Sequence, residues 1–173
     1  MDAISEVVGA DSPERRLTIE RIFDAPRELV FKCWSEPEHL GRWIGPKGFT
    51  STILTFEFHE GGNYRIHMRG PDDQDHWQHG VFREVVPPER IVRTFCWTDA
   101  QGKATRPETM LTVRFDDLGG KTRLTLHQAV FESTSARDQH QGGWNSSLDR
   151  LCEHIETRIE QMPSKEKLTW QMK

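Results

Sequence analysis

Residues 133–162, STSARDQHQGGWNSSLDRLCEHIETRIEQM, restrict the possible folds more than any other stretch. Trp144, Leu148, Leu151, Cys152, Ile155, Ile159 and Met162 recur at helical spacing with charged residues between them, which predicts an amphipathic helix over residues 135–162. Ser135 with Asp138 three residues on reads as a capping-box-like start, and Pro163, which cannot continue a helix interior, as the stop. A single helix of this length has to bury its stripe on something larger. His140 precedes Trp144 by one turn and shares its face, with Gly142 and Gly143 between them. Each glycine costs about 1 kcal/mol against alanine in a helix interior, so a close approach, a kink or a cavity wall is expected there.

The larger partner is written in the rest of the chain. Residues 15–23 alternate Leu17, Ile19 and Phe23 against polar neighbours and predict a first strand. Asp24-Ala25-Pro26 opens a short helix with Asp24 or Ala25 near its cap and Leu29, Val30, Phe31, Cys33 and Trp34 on its apolar side. A second short helix, 38–43, follows Pro37 and runs into the breaker cluster Ile44-Gly45-Pro46-Lys47-Gly48. From Phe49 the period becomes two, predicting strands at 50–58, 62–69, 77–86, 90–97, 109–116 and 122–131, separated by turn-forming residues. Sequential strands with short connections argue an antiparallel meander and an α+β class: strand, two short helices, six strands, long helix. Residues 1–14 are expected to be flexible, 15–162 to form one domain, and 163–173 to be a polar tail. That tail is expected either to be disordered or to dock on a neighbouring copy through Trp170, the homodimer case.

With 173 residues the chain can bury about 70% of its unfolded surface. A net charge of −4 with both signs interspersed gives no footprint for a polyanion, so no nucleic-acid partner is expected. No apolar run approaches the roughly 18 residues of a membrane span and the N-terminus lacks an apolar leader, so a cytoplasmic protein without a membrane partner is expected. Cys33, Cys96 and Cys152 are odd in number, far apart and set in apolar patterns, which suits reduced, buried thiols better than disulfide bridges or a metal cluster.

Several segments in this order carry a resemblance: DAPRELVFKCWSEPEHLGRWIGPKGF, GGNYRIHMRGPD, GVFREVVPPERIVRTFCW and HQGGWNSSLDRLCEHIE. Over residues 15–161 the chain resembles the START-like (SRPBCC) superfamily, and more closely its bacterial branch related to the C-terminal domain of the heat-shock-protein ATPase activator. The resemblance implies a helix-grip fold, with the curved sheet wrapped around the C-terminal helix and a cavity between them for an apolar or amphipathic small molecule.

The strands then supply candidates for that cavity. In 62–69, Tyr64, Ile66 and Met68 are expected to face inward, as are Leu111, Val113 and Phe115. In 90–97, Ile91, Phe95 and Trp97 would carry Arg93 inward, but Val92, Thr94 and Cys96 are equally apolar, so the facing stays open. A buried arginine needs a partner or an anionic ligand. His79 alternates with Trp77, Val81 and Val85 and reads either as a ligand contact or as a histidine at the sheet rim. His140 reads either as a polar contact in the cavity mouth or as an exposed helical histidine. The expected ligand-binding set is therefore Tyr64, Ile66, Met68, His79, Arg93, Phe115, His140 and Trp144. Asp72, Asp73, Asp75, His76 and His79 have metal-ligand chemistry but no closed spacing, and His59-Glu60 lacks the second histidine of a zinc-protease helix. No metal, cofactor or catalytic residue is assigned.

Three functions follow. A small-molecule binder needs only an apolar cavity with one or two polar groups and is the leading expectation. An enzyme of the polyketide-cyclase type would use the same cavity, but no nucleophile or acid–base pair appears among the residues read as inward-facing. A co-chaperone or stress-response role, borrowed from the family's namesake, would act through an exposed surface instead.

Overall fold

The period-two segments pair into one antiparallel sheet of seven strands: β1 (Leu17–Phe23), β2 (Thr50–Phe56), β3 (Asn63–Arg69), β4 (Asp75–Val86), β5 (Arg90–Thr98), β6 (Thr109–Asp117) and β7 (Thr122–Ala129). This is a computed structural model, and it describes residues 12–166. The expectations for residues 1–11 and for Leu168 and Trp170 fall outside the described residues. The spatial order is β1-β7-β6-β5-β4-β3-β2, so β2 to β7 form a meander and β1 closes on its far side against β7. Register shifts at Ile53/Thr55 in β2 and Phe82/Glu84 in β4 add local bend and twist, which curl the sheet.

The short helices are α1 (Arg27–Ser35) and α2 (Pro37–Trp43). α1 starts after Pro26, whose extended backbone occupies the cap position, rather than being capped by Asp24 or Ala25. The long helix α3 spans Thr134–Gln161 and ends just before Pro163. Its cap is Ser133, two residues before the expected one: the Ser133 hydroxyl accepts the Ala136 N–H at 3.1 Å, and Ser135 lies within the first turn. α3 turns Trp144, Leu148, Leu151 and Ile155 into the core. This is the helix-grip arrangement, and strand residues outnumber helical ones.

α1 plugs one end of the grip. Phe31 meets Phe115 edge to face at 5.2 Å, and Trp34 lies between Trp43 (4.7 Å) and Trp144 (5.9 Å). β5 carries Ile91, Arg93 and Phe95 inward. Its outward residues Thr94 and Cys96 are also buried: Thr94 Oγ1 accepts the Val81 N–H at 2.8 Å, and the 99–107 loop folds back on Cys96, where Thr105 donates its N–H to Trp97 O at 2.9 Å and the Cys96 thiol lies 3.5 Å from Arg106 O. Both faces of β5 are covered, which is why its two alternating sets read as equally apolar. Gly80, opposite Tyr64 in the β3–β4 register, has to be glycine: a Cβ there would collide with Thr94 O and the Tyr64 ring.

Candidate functional site

Between the concave face of β3–β5 and the first half of α3 lies a pocket of about 620 Å³. Trp144 and His140 from α3 line it, one turn apart, and Gly143 between them leaves the space a side chain would take. A Cβ at position 143 would meet only Pro46, at 3.8 Å. The glycine therefore forms part of a cavity wall, which accounts for its presence in a helix interior.

Trp144 is held by a buried polar chain. Its indole N–H donates to Gln128 Oε1 at 2.8 Å, the Gln128 amide donates to Thr109 Oγ1 at 2.7 Å, and the Thr109 hydroxyl donates to Phe95 O at 3.4 Å. Each buried polar atom in that chain finds a partner, so the indole is fixed in one rotamer. His140 accepts the Trp97 indole N–H on Nε2 at 3.0 Å, which assigns its proton to Nδ1. Its ring sits among Phe131 (4.9 Å), Phe95 (5.3 Å) and Trp97 (5.8 Å). Burial there, with a smaller contribution from Arg106, lowers its pKa to about 4, so the imidazole is neutral at pH 7.

From the sheet, Met68, Gln78, Phe95 and Trp97 reach the pocket, joined by Phe49 from the loop before β2. Gln78 is only 3% exposed. Its amide nitrogen donates to Met68 Sδ at 3.2 Å, while its amide oxygen has no hydrogen-bond partner. The opposite wall is the loop Ile44-Gly45-Pro46, and α3 holds it: Arg150 Nη1 donates to the carbonyls of Gly45 (2.8 Å), Pro46 (3.2 Å) and Ile44 (3.4 Å), and Nη2 to Arg42 O (3.2 Å). Ser146 Oγ accepts the Lys47 N–H at 2.8 Å, and Ser51 Oγ donates to Ile44 O at 2.6 Å.

Of the expected set, Met68, His140 and Trp144 come together here. Tyr64, Ile66, Phe115 and Arg93 are inward and buried, but they lie in the end of the grip filled by α1 and do not line the pocket. Tyr64 spends its hydroxyl on Thr94 O at 2.7 Å, and burial raises its pKa to about 12. Arg93, 1% exposed, has no carboxylate partner among the described residues; its guanidinium lies 4.4 Å from the Tyr64 ring centre and 5.8 Å from that of Trp34, and burial pulls its pKa down. Arg93 thus meets aromatic faces that offset only part of its burial. His79 lies on the outer face of β4, paired with the Asn63 side chain at 3.2 Å, because Gln78, Gly80 and Phe82 take the inner one. Gln78 and Arg150 were not singled out from the sequence. Gln78 sits in the β4 alternation that ends in Phe82, the one signal that would have placed it inside.

At the rim, Asp75 is held by Arg69 (3.0 Å) and His67 (2.7 Å), which lower its pKa to about 2, Arg69 first. Arg106 pairs with Glu132 at 2.7 Å. The pocket thus offers shape, aromatic surface and a neutral imidazole. Asp75 holds no proton at pH 7 for acid catalysis.

A family model described as Activator of Hsp90 ATPase homolog 1-like protein matches residues 24–156. Among solved structures, a Chromobacterium violaceum protein is 26% identical with a TM-score of 0.74, over 82% of this chain and 97% of that one. An Arthrobacter aurescens protein is 25% identical with a TM-score of 0.78, over 85% and 90%. The AHSA1 protein of Silicibacter pomeroyi, 24% identical, shares the fold with a TM-score of 0.75, over 83% and 99%. None of the curated proteins matches the sequence.

Proposed function

The chain belongs to the Activator of Hsp90 ATPase homolog 1-like family, a bacterial START-like branch, and we propose that it binds an apolar or amphipathic small molecule. The ligand occupies the pocket between β3–β5 and the first half of α3. The observation that carries this reading is the pocket itself, walled by aromatic side chains of the sheet and of α3 around a space that Gly143 leaves open. A volume of about 620 Å³ fits a drug-sized molecule. Phe49, Phe95, Trp97 and Trp144 supply its apolar contacts. The same proposal takes the ligand from the cytoplasm, the compartment in which free thiols such as Cys33, Cys96 and Cys152 are the ordinary state.

The test is a tryptophan-fluorescence titration with 2-naphthol and naphthalene as probes. Saturable quenching by both is expected. Gly143→Leu should fill the space beside Trp144 and weaken both probes by about 1–3 kcal/mol, the scale of overpacking, while the far-ultraviolet spectrum is unchanged. No saturable binding by either probe, or undiminished binding in Gly143→Leu, rules the reading out.

A further inference from the structure

Further along α3, beyond the pocket, three helices converge on a second group of side chains. Cys33 comes from α1, His39 from α2 and His154 from α3, and one ligand atom of each lies within 4.8 Å of the others. His39 Nδ1 and His154 Nε2 are 2.9 Å apart, with the rings edge to face at 5.2 Å. Cys33 is fully buried, and the two imidazoles are half-buried. None of the three takes part in the ligand pocket. Sequence spacing hides the group, because 121 residues separate Cys33 from His154 and only the packing of α1 and α2 on α3 unites them.

The geometry points to a binding site for one thiophilic d10 cation, Cu(I) or Zn(II), ligated by Cys33 Sγ, His39 Nδ1 and His154 Nε2. A thiolate with two imidazoles is a donor set that suits soft and borderline ions and disfavours magnesium and calcium, which want oxygen. The nitrogens are closer together than two ligands of one ion would be, so a small opening of the pair is needed, and the hydrogen bond between them is what the metal replaces. Binding is balanced by one proton: the neutral Cys33 thiol, raised by burial to about 12, gives its proton to solvent as the sulfur–metal bond forms. Arg158, one turn beyond His154, adds positive charge at all three donors, and its buried Nε has no hydrogen-bond partner. A monovalent ion on one thiolate leaves the cluster neutral beside that guanidinium. A divalent ion leaves it positive, so Cu(I) should be held in preference to Zn(II).

The experiment titrates the full chain anaerobically in two arms: Cu(I) against bicinchoninate and Zn(II) against a chromophoric chelator. One equivalent is expected, with Cu(I) displacing Zn(II). Removing a neighbour of a metal ligand usually costs 10–100-fold in affinity, so removing a ligand itself, as in Cys33→Ala, should cost at least about 100-fold. His154→Ala, whose side chain is half-buried, gives the same answer if Cys33→Ala disturbs the core. The double variant Cys96→Ser/Cys152→Ser should bind as the parent does. The site is refuted if neither ion binds in a one-to-one ratio, if binding survives both Cys33→Ala and His154→Ala, or if it is lost with Cys96 and Cys152 instead. Zn(II) retained in excess Cu(I) overturns the preference drawn from Arg158.

Discussion

At the scale of the residue, the most exacting feature is Arg93. Its Nε and Nη2 are buried with no hydrogen-bond partner, and what holds the guanidinium is the face of Tyr64, with Trp34 further off. A cation–π contact of about 2 kcal/mol does not repay the desolvation of a full charge, which is several kcal/mol. Arg93→Met keeps the stem and removes the charge, so it should stabilise the protein by roughly 1–4 kcal/mol in urea unfolding and leave probe affinity in the pocket unchanged. His140 gives a second residue-scale expectation. Its pKa is lowered when folded, so between about 4 and 6.5 the unfolded chain binds the proton that the folded chain refuses. Stability from this group is therefore complete above pH 6.5, falls as pH drops toward 4, and then levels off, a change on the order of 2–3 kcal/mol. His39 and His154 shift in the same direction. The difference between the parent and His140→Gln, measured by thermal unfolding from pH 7 to pH 4, isolates the share of His140. Equal pH slopes in the two proteins would exclude it.

At the scale of the element, alternation told which face of a strand points inward but not which end of the sheet the cavity occupies. Tyr64 and Met68 lie on one face of β3, yet only Met68 reaches the pocket, because Trp34 and Phe31 of α1 fill the other end. Their contact with the sheet is a tertiary fact with no local signature. The strands, the two short helices and the long helix were all legible from period and turn residues. So was the His140–Gly143–Trp144 wall, since two glycines in a helix interior require a reason. Arg150 was not legible: an arginine on a polar helix face reads as solvated until the carbonyls it meets are known. Arg150→Met should release the loop at residues 44–47, raising amide hydrogen exchange there and weakening probe binding, with the α3 amides unchanged. Unchanged exchange in the loop would mean that the clasp does not hold it.

At the scale of the whole molecule, β1 closes the sheet against β7, joining the first strand to the last and contributing Leu17, Ile19 and Phe23 to the single core. α3 bridges the same strand through Arg21, which meets Asp149 at 2.8 Å and Asn145 O at 3.1 Å. With this much non-local pairing no part of the described chain has its own core. Urea unfolding followed by tryptophan fluorescence and by far-ultraviolet circular dichroism should therefore give coincident transitions. Separated midpoints would reveal a unit that folds without β1.

The clasp of Arg150 also bears on how the pocket chooses its occupant. His140 and Trp144 form one jaw, and the Gly45–Pro46 loop, gripped from Arg150, forms the other. Both jaws are thus mounted on one rigid rod. From His140 to Arg150 is ten residues, about 15 Å of helix. Arg150 reaches back along that rod to hold the loop beside Gly143, so a relative that admits a bulkier ligand should have lost or shortened the clasping side chain.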